Sequence, residues 1–82
     1  MKLSIYSLRE ILFQGNAVSL NCKTMVGEIT ILDNHETYVG VLTEGLAKII
    51  DEEKKEHFFS IKDGFIQVNK NNEVRCIVSS IE

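Results

Sequence analysis

Two histidines, two cysteines and twelve carboxylates are the groups with which this chain could do chemistry. His35 and His57 each stand alone, with no serine, cysteine or second histidine at the spacing of a nucleophilic or metal-binding motif. The densest group of carboxylates lies in the run Asp51-Glu52-Glu53-Lys54-Lys55-Glu56, which reads as a solvated turn. Cys22 and Cys76 sit in alternating apolar patterns and read as reduced, partly buried thiols. A disulfide is not expected in a reducing compartment, and a metal site needs more soft ligands at close spacing. Gly27, Gly40, Gly45 and Gly64 are isolated, so they make turns, bulges or close-packing positions rather than a phosphate cradle. This inventory argues against an enzyme, and no cofactor or metal is expected. Two polar residues remain of interest. By type alone, Glu28 is an exposed strand residue after a glycine turn. His35 is a turn residue that closes the loop after Asp33-Asn34 with a local hydrogen bond.

The elements that must position these groups are strands. Val18-Ser19-Leu20-Asn21-Cys22-Lys23 alternates with period two, as does Val74-Arg75-Cys76 running into Ile77 and Val78. Phe65, Ile66 and Val68 form another strand, joined to the last through Asn69-Lys70-Asn71-Asn72. Asn tolerates left-handed backbone angles, which makes Asn71-Asn72 a hairpin tip. Asp63-Gly64 and Gly15-Asn16 read as two further tight turns. Proline is absent, so Gly, Asn and Asp make the turns. Short strands with turn signals between them predict an all-β sandwich or small barrel. One segment competes: Leu46, Ile49, Ile50 and Glu53 fall on helical spacing among good helix formers, so propensity alone predicts a helix from near Thr43.

Eighty-two residues make one domain, 1–82, near the lower limit for a single core; such a chain buries about 60–65% of its unfolded surface. The 44% hydrophobic content is that of a globular chain. No apolar run approaches the roughly 18 residues of a membrane span, and no signal peptide opens the sequence, so a cytoplasmic location without direct membrane insertion is expected. A net charge of −3, with nine scattered basic residues, argues against a nucleic-acid partner.

The segment Thr24-Met25-Val26-Gly27-Glu28-Ile29-Thr30-Ile31-Leu32-Asp33-Asn34-His35, followed by Leu42-Thr43-Glu44-Gly45, resembles the signature of the epsilon subunit of rotary F-type ATP synthases. In that family a Gly-Glu and a hydrophobic residue lead into Ile-Leu, a tight turn and a His, with a Leu…Gly pair ending ten residues later. His35 and Gly45 have that separation. Leu12-Phe13-Gln14-Gly15 with Val18 and Leu20 is similar to the family's opening strands. Phe59 to Val68 and Asn72 to Val78 resemble its later ones. The resemblance implies a two-sheet antiparallel β-sandwich in which Leu46 to Ile50 is a strand, the charged run a hairpin turn and Glu56 to Ile61 the returning strand.

It also implies a function. The chain would be a non-catalytic rotor subunit of a proton- or sodium-driven synthase, peripheral on the cytoplasmic face of the energy-transducing membrane, coupling the c-ring to the gamma subunit. Glu28 and His35 would lie at the bottom of the sandwich near the polar loops of the c-ring, with Asp33 and Asn34 in the same contact. Ser7, Tyr38 and Val41 are the candidates on the gamma side, where an apolar docking face is expected. The chain departs from the family where Asp33-Asn34 replace Pro-Gly before the His and Glu36-Thr37 replace a small residue and Pro after it. With Glu82 as the natural end, the two-helix C-terminal hairpin is missing, and neither inhibition through it nor ATP binding is expected. The alternatives are a stand-alone β-sandwich binding a small ligand, or a paralogue serving another assembly. The first needs a concave apolar pocket, and the sequence offers no cluster of exposed aromatics for one.

Overall fold

Period-two alternation runs through most of the chain, and strands form wherever it does. A computed structural model describes residues 1–79. Its strands are β1 (Lys2–Tyr6), β2 (Ile11–Thr24), β3 (Gly27–Leu32), β4 (Tyr38–Leu42), β5 (Gly45–Asp51), β6 (Glu56–Ile61), β7 (Gly64–Val68) and β8 (Glu73–Val78). No helix forms among the described residues. The strand order is β1-β8-β7-β4-β2-β5-β6, with β3 on β2 and β1 also paired to β2. Two layers result: β1, β8, β7 and β4 form one, β3, β5 and β6 the other, and the 14-residue β2 belongs to both. Every pairing is antiparallel except that of β1 with β8.

The reversal expected at Gly15-Asn16 does not occur. Both residues lie inside β2, opposite Leu3 and Lys2 of β1. A bulge between Ala17 and Ser19 bends the strand at this point, and its pairing passes from β1 to β3 and β5. Backbone pairing on β1 therefore outweighs the local turn chemistry of Gly-Asn. The helical alternative over residues 43–56 also fails. Ala47 and Ile49 turn inward while Leu46, Lys48 and Ile50 turn outward, so the segment follows a two-residue period. Asp63-Gly64 does turn the chain, carrying it from β6 in one layer to β7 in the other. Asn72, at φ 59°, takes the left-handed position in the β7–β8 hairpin.

Inward-facing residues from both layers close one core. Leu3, Ile5, Leu20, Ile31, Leu42 and Ile49 are at most 1% exposed, and Ile66, Val74 and Val78 join them. Cys22 and Cys76 are buried in the same core as free thiols.

Candidate docking surfaces

Burying one side of a sheet leaves the other to water, and the two layers treat that outer side differently. In the β4-β7-β8-β1 layer, register places Val41 opposite Phe65, Phe65 opposite Ile77, Ile77 opposite Tyr6 and Tyr6 opposite Ile11. These five make an apolar row across the outer face. Phe65 is 61% and Ile11 62% exposed. The next row, Val39, Gln67, Arg75, Ser4 and Gln14, is polar apart from Val39 at its end. In the β3-β2-β5-β6 layer the corresponding face is mixed. Asn21 donates to Thr30 at 2.9 Å, and Lys48 pairs with Glu56 at 2.7 Å. Phe58 is exposed on this face, remote in sheet order from Phe65, so the exposed aromatics do not cluster.

Of the gamma-side candidates, Val41 belongs to the apolar row. Ser7 begins the loop beside that row. Its hydroxyl accepts from the backbone N–H groups of Arg9 and Glu10, each at 3.3 Å, and its own N–H donates to the Glu10 carbonyl at 2.9 Å. Tyr38 does not share the face. It packs half-buried against the core, with its ring over Gly40, where an added Cβ would stand 2.6 Å from the phenolic oxygen. The larger apolar contributors, Phe65 and Ile77 on strands and Leu8 in the loop beside them, are not singled out by the sequence. The signal for Phe65 and Ile77 is apolar residues on both parities of one strand, which becomes a surface only once the register aligns neighbours.

The c-ring candidates fall into two groups. Glu28 follows the β2–β3 turn, opposite Lys23, exposed and without an ion-pair partner among the described residues. The turn tip, Met25-Val26, is exposed, and Met25 N–H donates to the Val41 carbonyl at 3.0 Å, joining the tip to the apolar row. Gly27 has φ 122°, a conformation that favours glycine. Gly45 leaves room for the stem of Lys23, whose Cδ would lie 2.6 Å from an added Cβ.

Asp33, Asn34 and His35 lie past the opposite end of β3. At about 3.3 Å per strand residue, Glu28 and Asp33 are roughly 17 Å apart. The structure therefore does not bring Glu28 and His35 together at one end of β3. The distant turn is tied internally. Asp33 Oδ1 accepts from the Met1 α-amino group and, at 2.9 Å, from Asn72 Nδ2, and Asn72 Oδ1 accepts from Asn34 N–H at 2.7 Å. The ammonium contact first, and Asn72 second, hold the Asp33 carboxyl below the usual carboxylate range. His35 donates through Nδ1 to the Glu36 carbonyl at 2.7 Å, the local hydrogen bond its sequence context suggests.

A sandwich with an apolar row across one outer face and a mixed surface on the other has the build of an interaction module within a larger assembly. Over residues 1–82 the sequence matches the family model described as ATP synthase, Delta/Epsilon chain, beta-sandwich domain. The chain belongs to that family. It is 32% identical over 68 residues to an ATP synthase epsilon chain of Clostridium novyi, covering 83% of this chain and 52% of the relative. It is 31% identical over 81 residues to that of Clostridium perfringens, covering 99% and 60%. It thus spans somewhat over half the length of these relatives. Among solved structures it superposes on a chain of the Euglena gracilis mitochondrial ATP synthase OSCP/F1/c-ring structure with a TM-score of 0.90 at 25% identity, covering 98% of this chain and 51% of that one. A chain from the Tetrahymena thermophila mitochondrial ATP synthase central stalk and c-ring structure shares the fold, with a TM-score of 0.85 at 16% identity over 100% of this chain and 65% of that one.

Proposed function

We propose that this chain is a single non-catalytic β-sandwich module of the ATP synthase rotor. It docks on the gamma subunit through the β4-β7-β8-β1 face and couples that stalk to the c-ring. It sits peripherally on the cytoplasmic side of the energy-transducing membrane and transmits torque driven by proton or sodium flow. The observation that carries the reading is the apolar row from Val41 to Ile11, present on one outer face and not on the other. A rotor module needs a fixed face on the stalk, and an apolar row beside a polar one supplies a dry centre with a polar margin. Val41 lies in this contact and Ser7 borders it; Tyr38, turned inward, is left out. On the ring side Glu28 is one contact, at the corner where the Met25-Val26 tip meets the apolar row. Asp33, Asn34 and His35 form a second, separate one.

Native mass spectrometry of the chain purified with the gamma subunit and c-ring of the same genome tests this. A stoichiometric complex is expected, with Glu28→Ala and His35→Ala each weakening retention of the ring. A complex indifferent to both would keep the rotor role and remove these ring contacts. No complex from folded protein would mean that the sandwich serves another assembly.

A further inference from the structure

An exposed leucine is ordinary when isolated, but Leu8 has apolar neighbours and stands on a braced backbone. It is 98% exposed, at the apex of the Ser7–Glu10 loop between β1 and β2. The loop is braced from within: the Ser7 hydroxyl accepts two backbone N–H groups, and the Ser7 N–H closes on the Glu10 carbonyl. Leu8 therefore stands clear of the surface on a turn that already holds its shape. Its surroundings differ on its two sides. One cleft, of about 410 Å³, runs from Leu8 along Tyr6 and Ile11 but is otherwise polar, with Arg9 and Glu10 of the loop and Ser4 and Gln14 of the polar row in its lining. A second, of about 490 Å³, runs from Leu8 along Val41, Phe65 and Ile77. Leu8 is the wall between them, so it divides the margin of the apolar row into two troughs.

We propose that Leu8 is the anchor of the stalk contact, a knob that enters an apolar pocket on the gamma subunit while the rims of that pocket settle into the two troughs. Ser7 is its positioning residue. The inference rests on the rotor reading above and adds the anchor and the partner's chemistry: an apolar pocket with one apolar rim, facing the trough of Val41, Phe65 and Ile77, and one amphipathic rim facing the other. The occupant is argued from continuity, because knob and troughs extend the same row that forms the proposed stalk face. The braced turn matters because a backbone already in its bound shape leaves only the Leu8 side chain to be ordered on docking. The polar row of Gln67, Arg75, Ser4 and Gln14 then lies at the edge of the contact, where water remains.

The test uses the chain as its genome encodes it and the gamma subunit of the same genome, with affinities from biolayer interferometry and folding followed by thermal denaturation. Leu8 makes no core contact, so Leu8→Ala should leave the melting temperature unchanged while weakening binding at least tenfold, the size expected of an interface anchor. Ser7→Ala should weaken binding less, and Ser7→Thr, which keeps the hydroxyl, should restore it. In a Leu8→Ala background, Ser7→Ala should add nothing, since no knob is left to position. Wild-type affinity for Leu8→Ala beside lost binding for Phe65→Ser would overturn the anchor and keep the sheet face. Failure of the wild-type chain to bind gamma would overturn the rotor reading itself. A Leu8-dependent dimer of the isolated chain, seen by sedimentation, would make a second copy the occupant and also overturn the proposal.

Discussion

A methyl group added at Gly64 would lie 2.3 Å from the Ile77 carbonyl oxygen and 2.9 Å from Val78 Cα. Both are backbone atoms of the paired strand β8, so they cannot step aside without separating β7 from β8. Gly64→Ala should therefore cost about 1–3 kcal/mol in urea denaturation. Gly45→Ala faces only the flexible stem of Lys23 and should stay within about 0.5 kcal/mol. Equal effects would show that the approach of the strands is not what fixes Gly64. The buried thiols make a second statement at this scale. Burial pushes Cys22 up to about 11, and burial with Cys22 nearby pushes Cys76 higher still. The thiolate is the reactive form, so neither should react with Ellman's reagent at pH 8 in the native chain, while both react once it is unfolded. Fast titration of one thiol in the native protein would contradict the burial. The thiols' burial was legible, because alternation alone turns both inward. For Gly64 the sequence leaves turn, bulge and close packing open, since the backbone it approaches belongs to another strand.

Hairpins are where local preference and tertiary pairing compete. The segment from Leu46 to Glu56 has the propensity of a helix, yet Ala47 and Ile49 are needed on one side, against the core. Pairing β5 between β2 and β6 satisfies its backbone on both edges. Asp51 fastens the turn that results. Its Oδ1 accepts from Glu53 N–H at 2.8 Å and Lys55 N–H at 2.9 Å, while Oδ2 meets His57 Nε2 at 2.9 Å. His57 in turn sets its ring edgewise to Phe13 of β2, with centroids 5.2 Å apart. The His57 contact foremost, and then the backbone donors, hold the Asp51 carboxyl below the usual range. A carboxyl that binds its proton less readily when folded contributes stability fully above the unfolded value, about 3.9, and loses it as pH falls through the folded one. The stability gap between wild type and Asp51→Asn should therefore be at its full width above about pH 5 and narrow as pH falls through the folded value. A gap independent of pH would mean that hydrogen-bond shape, not charge, fastens the turn. This device was hidden in the sequence, where Asp51 and His57 are six residues apart in a charged run. Across that distance only a hairpin brings them together.

At the scale of the whole molecule, the inward residues were legible from alternation, which left a sandwich or a small barrel open; the family resemblance pointed to the two-sheet sandwich and resolved the one segment where alternation and helical spacing disagreed. The surface was legible only in part. Glu28 and His35 look adjacent in a motif, but a strand carries them to opposite ends of β3. The apolar outer row is written as single residues in five strands, and only register assembles it. That assembly predicts a parity rule for substitutions on β7. Ile66 is 0% exposed in the core, and Phe65, next to it, is 61% exposed in the row. Ile66→Ala should lower unfolding free energy by about 2–5 kcal/mol, as cavity formation does in a closed core. Phe65→Thr, with Val39→Thr at the end of the neighbouring row, should each stay within about 0.5 kcal/mol and keep the chain folded. The same two changes should lower the fluorescence of a bound hydrophobic dye and raise solubility, because they remove exposed apolar area rather than packing. Denaturation and dye binding measured on the same three variants separate the two effects. If Phe65→Thr unfolds the chain, the residue belongs to the core, and the outer face of this layer is not free to receive a partner.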